Sequence, residues 1–102
     1  MSHARWRVVI DPQAEAEATD SYRWYRARSP VAAKSFQIAV EETIGSLAEA
    51  PHRWPEVEPG IRRRLVSGFP YSILYEVDEH TVTILAVMHQ KRHPNAWKRV
   101  ER

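Results

Sequence analysis

Two dipeptides, Asp11-Pro12 and Ser29-Pro30, constrain this chain more than any other feature. Each sets a side-chain acceptor suited to a helix N-cap directly before a proline, whose missing amide and fixed φ are well tolerated in a first helical turn. The second helix therefore starts where the first must end, near Arg28, and the two form a hairpin with almost no linker. In the first helix Ala14, Ala18, Tyr22 and Tyr25 recur at helical spacing, with Glu15 and Glu17 early and Arg23, Arg26 and Arg28 late, as the helix dipole favours. In the second, Ala33, Phe36, Val40, Thr43 and Leu47 draw one apolar stripe, with Ile44 alongside, over about five turns. Pro51 ends that helix, because it restricts Ala50 and donates no backbone hydrogen bond.

The flanking segments alternate with the period of a strand. Trp6, Val8 and Ile10 oppose Arg7 and Val9 ahead of the hairpin. Pro51 to Gly60 has three prolines and no periodicity and reads as a rigid connecting loop. Ile61 to Val66 then alternates, with Arg62 and Arg64 on one side and Arg63 beside Ile61 and Leu65 on the side expected to face the core. The Ser67-Gly68-Phe69-Pro70 cluster is a turn; Tyr71, Ile73, Tyr75 and Val77 share a face of the next strand. After a turn at Asp78-Glu79-His80, Val82, Ile84, Ala86 and Met88 share a face of the last strand, with Leu85 and Val87 opposite, which suits a strand covered on both sides. From Pro94 the tail regains helical character, with Trp97 and Val100 spaced to dock on the body. The order β-α-α-β-β-β with a short C-terminal helix argues for an α+β fold in which the hairpin packs on an antiparallel sheet, the first strand joining it.

A chain of 102 residues is one domain, 1–102, too small to enclose a cofactor beside its core, so a working site is expected in a surface groove. It contains no cysteine, which excludes disulfides, thiolate metal sites and a cysteine nucleophile and suits a reducing cytoplasm. No apolar run approaches the roughly 20 residues of a membrane span, and the first ten residues lack the apolar core of a signal peptide. No glycine-rich phosphate loop occurs, no serine lies in an activating elbow, and the five histidines include no metal-binding spacing among carboxylates; neither metal nor cofactor is expected.

Charge is unevenly spread. Residues 11–50 carry seven acids against four bases, residues 61–102 eight bases against four acids, and twelve of the fifteen bases are arginine. An anionic partner suits the second half, since the guanidinium fork matches carboxylate and phosphate. The densest polar cluster is His89-Gln90-Lys91-Arg92-His93, in which an imidazole beside cations has the chemistry for proton transfer in phosphodiester cleavage. The plainer reading of the same residues is that His89 ends the strand and His93 caps the helix before Pro94.

The stretch Arg63-Arg64-Leu65-Val66-Ser67-Gly68-Phe69-Pro70-Tyr71-Ser72-Ile73-Leu74-Tyr75-Glu76-Val77, then Val82 to Val87, then His89-Gln90-Lys91-Arg92-His93-Pro94-Asn95-Ala96-Trp97-Lys98-Arg99, resembles the RelE/ParE superfamily of type II toxin-antitoxin toxins. The resemblance spans essentially the whole chain and implies a bacterial toxin held inactive by a cognate antitoxin in a hetero-oligomer. It implies one of two activities, ribosome-dependent mRNA cleavage of the RelE kind or non-enzymatic inhibition of DNA gyrase of the ParE kind. For cleavage, Arg92 matches the arginine expected near the end of the last strand, with His89 and His93 as proton carriers. The arginine expected after Tyr71 is Ser72 here, and Trp97 stands where a tyrosine is expected and has no hydroxyl to act as acid or base. These departures favour the ParE kind, with Arg62, Arg64, Lys91, Arg92, Trp97 and Arg99 as the surface for target or antitoxin.

Overall fold

The structure, a computed structural model, describes residues 5–91. Strand β1 (Arg7–Ile10) leads into helix α1 (Pro12–Arg28) and helix α2 (Pro30–Glu49), then a 3-10 turn (Pro51–Arg53), strands β2 (Glu56–Glu58), β3 (Ile61–Leu65), β4 (Tyr71–Val77) and β5 (Thr81–His89). The expected helix over Pro94, Trp97 and Val100 lies outside the described residues. Among those described, no helix is long and apolar enough to cross a membrane.

The two cap-proline signals act as expected. Asp11 accepts a hydrogen bond from the Gln13 amide at 2.9 Å, opening α1. Ser29 serves both helices: its amide donates to the Tyr25 carbonyl at 2.7 Å, and its hydroxyl accepts from the Ala32 amide at 3.1 Å. A single residue in extended conformation (φ −162°, ψ 111°) therefore makes the whole turn between the helices. Ala33, Phe36, Val40, Thr43 and Leu47 are all buried, and the Thr43 hydroxyl is satisfied by donating to the Ala39 carbonyl at 2.7 Å.

The strands form one mixed sheet in the order β1-β5-β4-β3-β2. The expected antiparallel pairing holds from β2 to β5, but β1 runs parallel to β5, with Val8 opposite Val82 and Ile10 opposite Ile84. The helical hairpin and the meander make the long crossover that parallel pairing needs. The segment expected to be only a loop also holds β2, an edge strand too short to show a period.

Both helices cover one face, where Ala14, Phe36, Val40, Leu47, Ile73, Tyr75, Val82, Ile84 and Val87 form the main core. Burial of each large apolar side chain contributes about 1.5–3 kcal/mol. A smaller cluster of Leu74, Ala86 and Met88, with Ile61 against it, lies on the reverse face. Val82, Ile84, Ala86 and Met88 therefore do not share a face as expected. Tyr75 pairs with Ile84 and Leu74 with Ala86, so Leu85 is an extra residue, and this bulge reverses the phase of the strand, sending Val87 to the main core.

Strand β3 also inverts the expected faces. Arg62 pairs with Tyr75 and Arg64 with Ile73, so these two arginines take the helix side, while Arg63 is exposed on the reverse side with Ile61 and Leu65. Helix α1 packs over β5 rather than this edge. Here the loop at 51–55 forms the roof, and its carbonyls give a guanidinium the acceptors that a helix surface would not.

Candidate functional site

At the end of β5, His89 pairs with Tyr71, and their rings meet edge to face with centroids 5.1 Å apart. The His89 Nδ1 atom accepts from the Lys91 amide at 3.0 Å, and the Gln90 amide donates to the Pro70 carbonyl at 2.8 Å. The Nδ1 lone pair is thereby engaged by the backbone and does not point to a substrate. Tyr71 is buried against Tyr25, Phe36 and Phe69, so it is a core aromatic with no open ring for a base to stack upon. Ser72, where the resemblance to RelE-type enzymes leads one to expect an arginine, is buried too. Lys91 is exposed at the limit of the described residues; Arg92, His93, Trp97 and Arg99 lie outside them.

The β3 arginines stand apart from that end of β5 in role. Arg62 donates to the carbonyls of Trp54 at 2.5 Å and His52 at 3.2 Å and meets Glu56 at 3.5 Å, so its charge is used to hold the 51–56 segment. Arg64 lies over the Trp54 ring, 4.2 Å from its centroid. Tyr75 is fully buried between these groups and the core and donates its hydroxyl to the Pro51 carbonyl at 2.7 Å. Burial raises its pKa above the ordinary 10.0, and the charges of Arg62 and Arg64 partly oppose that rise. Among the described residues no group of three or more histidine, aspartate or glutamate side chains is placed to hold a metal.

A feature missed by sequence reasoning lies between the helices. A groove of about 480 Å³ runs between Ala14, Ala18 and Tyr22 of α1 and Phe36, Val40 and Ile44 of α2. Ile84 and Val87 form its floor, Ile10 lies at one end, and Glu15, Thr19, Gln37 and Glu41 bring polar atoms to it. It exists because α1 presents alanine at two successive turns of its inner stripe, leaving the opposing side chains of α2 without a partner of full length. Ala14 and Ala18 were the available signal. Ile10, 42 % exposed, is an apolar end residue open to contact.

Comparison with known proteins bears on this geometry. The model of the family described as the ParE toxin of the type II toxin-antitoxin system parDE matches residues 8–94. The chain is similar in fold to a chain of the chromosomal ParDE toxin-antitoxin system from P. aeruginosa, with TM-score 0.73 and 21 % identity, over 85 % of this chain and 98 % of that one. It is also similar to a chain of the toxin-antitoxin complex RelBE2 from Mycobacterium tuberculosis, with TM-score 0.57 and 24 % identity, over 89 % and 98 %. No curated protein sequence matches the chain.

Proposed function

The chain belongs to the ParE toxin family of type II toxin-antitoxin systems, and from that premise we propose that it arrests growth by binding a target, with DNA gyrase the leading candidate, until a cognate antitoxin neutralises it. The observation that carries the binding reading is the end of β5. His89 has its Nδ1 occupied by the Lys91 amide, and its ring neighbour Tyr71 is a core residue. Phosphodiester cleavage calls for a proton acceptor and a cation beside the substrate, whereas here the Nδ1 lone pair is taken by a backbone amide, the Tyr71 ring is packed in the core and Ser72 supplies no cation.

The groove between α1 and α2 supports the second half of the proposal. An apolar channel along two helices accepts the apolar stripe of a third. Glu15 and Glu41 at the groove favour a partner helix that carries lysine or arginine beside that stripe.

Induced expression in a bacterial host, with and without the neighbouring open reading frame, tests both halves when plasmid supercoiling and mRNA integrity are followed together. The expected result is growth arrest with altered DNA topology and intact mRNA, relieved by the neighbour. Codon-positioned mRNA breaks would overturn the gyrase reading in favour of cleavage, and arrest that the neighbour leaves untouched would overturn its role as antitoxin.

A further inference from the structure

Outside the groove and the end of β5, the indole of Trp54 gathers two arginines. Arg53 and Arg64 come from different segments, yet both guanidinium groups approach the one indole of Trp54, at 5.5 and 4.2 Å from its centroid. Two like charges beside the same ring repel each other, and the quadrupole of one indole offsets only part of that. Among the described residues neither Arg53 nor Arg64 has a carboxylate or carbonyl partner, whereas neighbouring Arg62 has two carbonyls and Glu56. The Arg64 Nε atom is buried without an acceptor. The Arg64 side chain is thus held by stacking, and its terminal nitrogens, which have no protein acceptor among the described residues, remain available to a partner.

We propose that Arg53 and Arg64, held on Trp54, form a seat for one carboxylate from an acidic segment of a partner protein. The carboxylate lies in the plane of the Arg64 terminal nitrogens and accepts from both, while Arg53 neutralises the charge left over. Bidentate pairing of this kind is short and strong because the fork and the carboxylate match in geometry. A single carboxylate fits better than a phosphate backbone. Edge strand β2, directly after Trp54 and Pro55, carries Glu56 and Glu58, and a polyanion laid along that edge meets both. An acidic side chain on a peptide presents its charge at one point and leaves those glutamates undisturbed. The inference rests on the reading of the chain as a toxin governed by protein contacts, and adds to it a chemically defined contact distant from the interhelical groove.

The test is a titration of the full chain with an oligoglutamate peptide, followed at the Nε–H cross-peak of Arg64 in a nitrogen-15 spectrum, with inorganic phosphate and oligothymidylate as parallel probes. The peptide is expected to move that peak saturably and to bind at least tenfold tighter than phosphate. Arg64→Lys, which keeps the charge and loses the fork, should weaken peptide binding about tenfold, and Trp54→Leu by a similar factor. Arg63→Lys, on the reverse face, should leave it unchanged. Because Trp54 also touches the core, the folded state of each variant is checked by its thermal transition, and Arg64→Lys alone decides if Trp54→Leu unfolds. Full peptide affinity in Arg64→Lys would overturn the seat, as would oligothymidylate binding tighter than the peptide, which would assign the pair to nucleic acid. Growth arrest by the wild type with no peptide shift would refute the seat alone; a saturable shift with no arrest would refute the toxin reading and leave the seat in place.

Discussion

Single side chains tie the layers of this protein together at points that composition does not reveal. Glu17 of α1 accepts from the Val87 amide of β5 at 2.9 Å, across 70 residues of sequence. Strand β1 has ended by then, so the carboxylate takes the place of a strand neighbour on that edge of β5. Glu17→Ala should cost about 1–3 kcal/mol by leaving a half-buried amide unpaired, while Glu17→Gln, which keeps an acceptor oxygen, should cost less; urea unfolding measures both. Tyr75 plays a similar part for the Pro51 carbonyl. Its pKa is raised by burial, with Arg62 and Arg64 opposing, and that of Tyr25 is raised by burial and by Tyr71. A raised folded pKa means that the unfolded chain loses its phenolic protons first. Stability is therefore fully present below pH 10.0 and falls as pH climbs from there through the folded values. Urea midpoints taken across that range should fall less steeply for Tyr75→Phe than for the wild type.

Among the elements, helices were far more legible in the sequence than strands. The Asp11-Pro12 and Ser29-Pro30 signals and the stripe from Ala33 to Leu47 lead directly to α1 and α2, since caps and a 3.6-residue period are local properties. Strand β5 defeats the same treatment: Val82 to Met88 is apolar at nearly every position, so a period of two cannot show where Leu85 reverses its phase. Strand β3 misleads because its roof comes from a different segment: the His52 and Trp54 carbonyls accept from Arg62, and the Trp54 ring carries Arg64, so both turn to the helix side. The groove was illegible for a related reason, as Ala14 and Ala18 are good core residues by type and leave a gap only against the particular side chains of α2. Phe36→Ala and Ile84→Ala should each cost about 2–5 kcal/mol in thermal or urea unfolding. Deleting Leu85 is a sharper test of the bulge. It removes the extra residue and leaves Ala86, Val87 and Met88 opposite Leu74, Ile73 and Ser72 on their present faces, so the cooperative transition should survive, whereas in a strand without a bulge the same deletion would turn every later side chain to the wrong face and abolish it.

At the scale of the whole molecule the charge is polarised: seven acids against four bases in residues 11–50, and the reverse excess in residues 61–102. A partner that spans the interhelical groove and the Trp54 corner must itself carry both signs in a matching order. Replacing the groove-end Ile10 by aspartate puts a charge where an apolar stripe should rest and brings it beside Glu15 and Glu41. Ile10→Asp should weaken binding of the neighbouring gene product about tenfold or more while moving the thermal midpoint little, because Ile10 is already 42 % exposed. Calorimetric titration against the purified partner provides the check. The turn at Ser29 bears on the speed of that encounter. With one residue capping both helices, the hairpin has no slack with which to open or close, so the slot keeps its width whether empty or filled. Capture should then follow a rate that climbs linearly with partner concentration and never levels off, the mark of an association that waits for no rearrangement on this side.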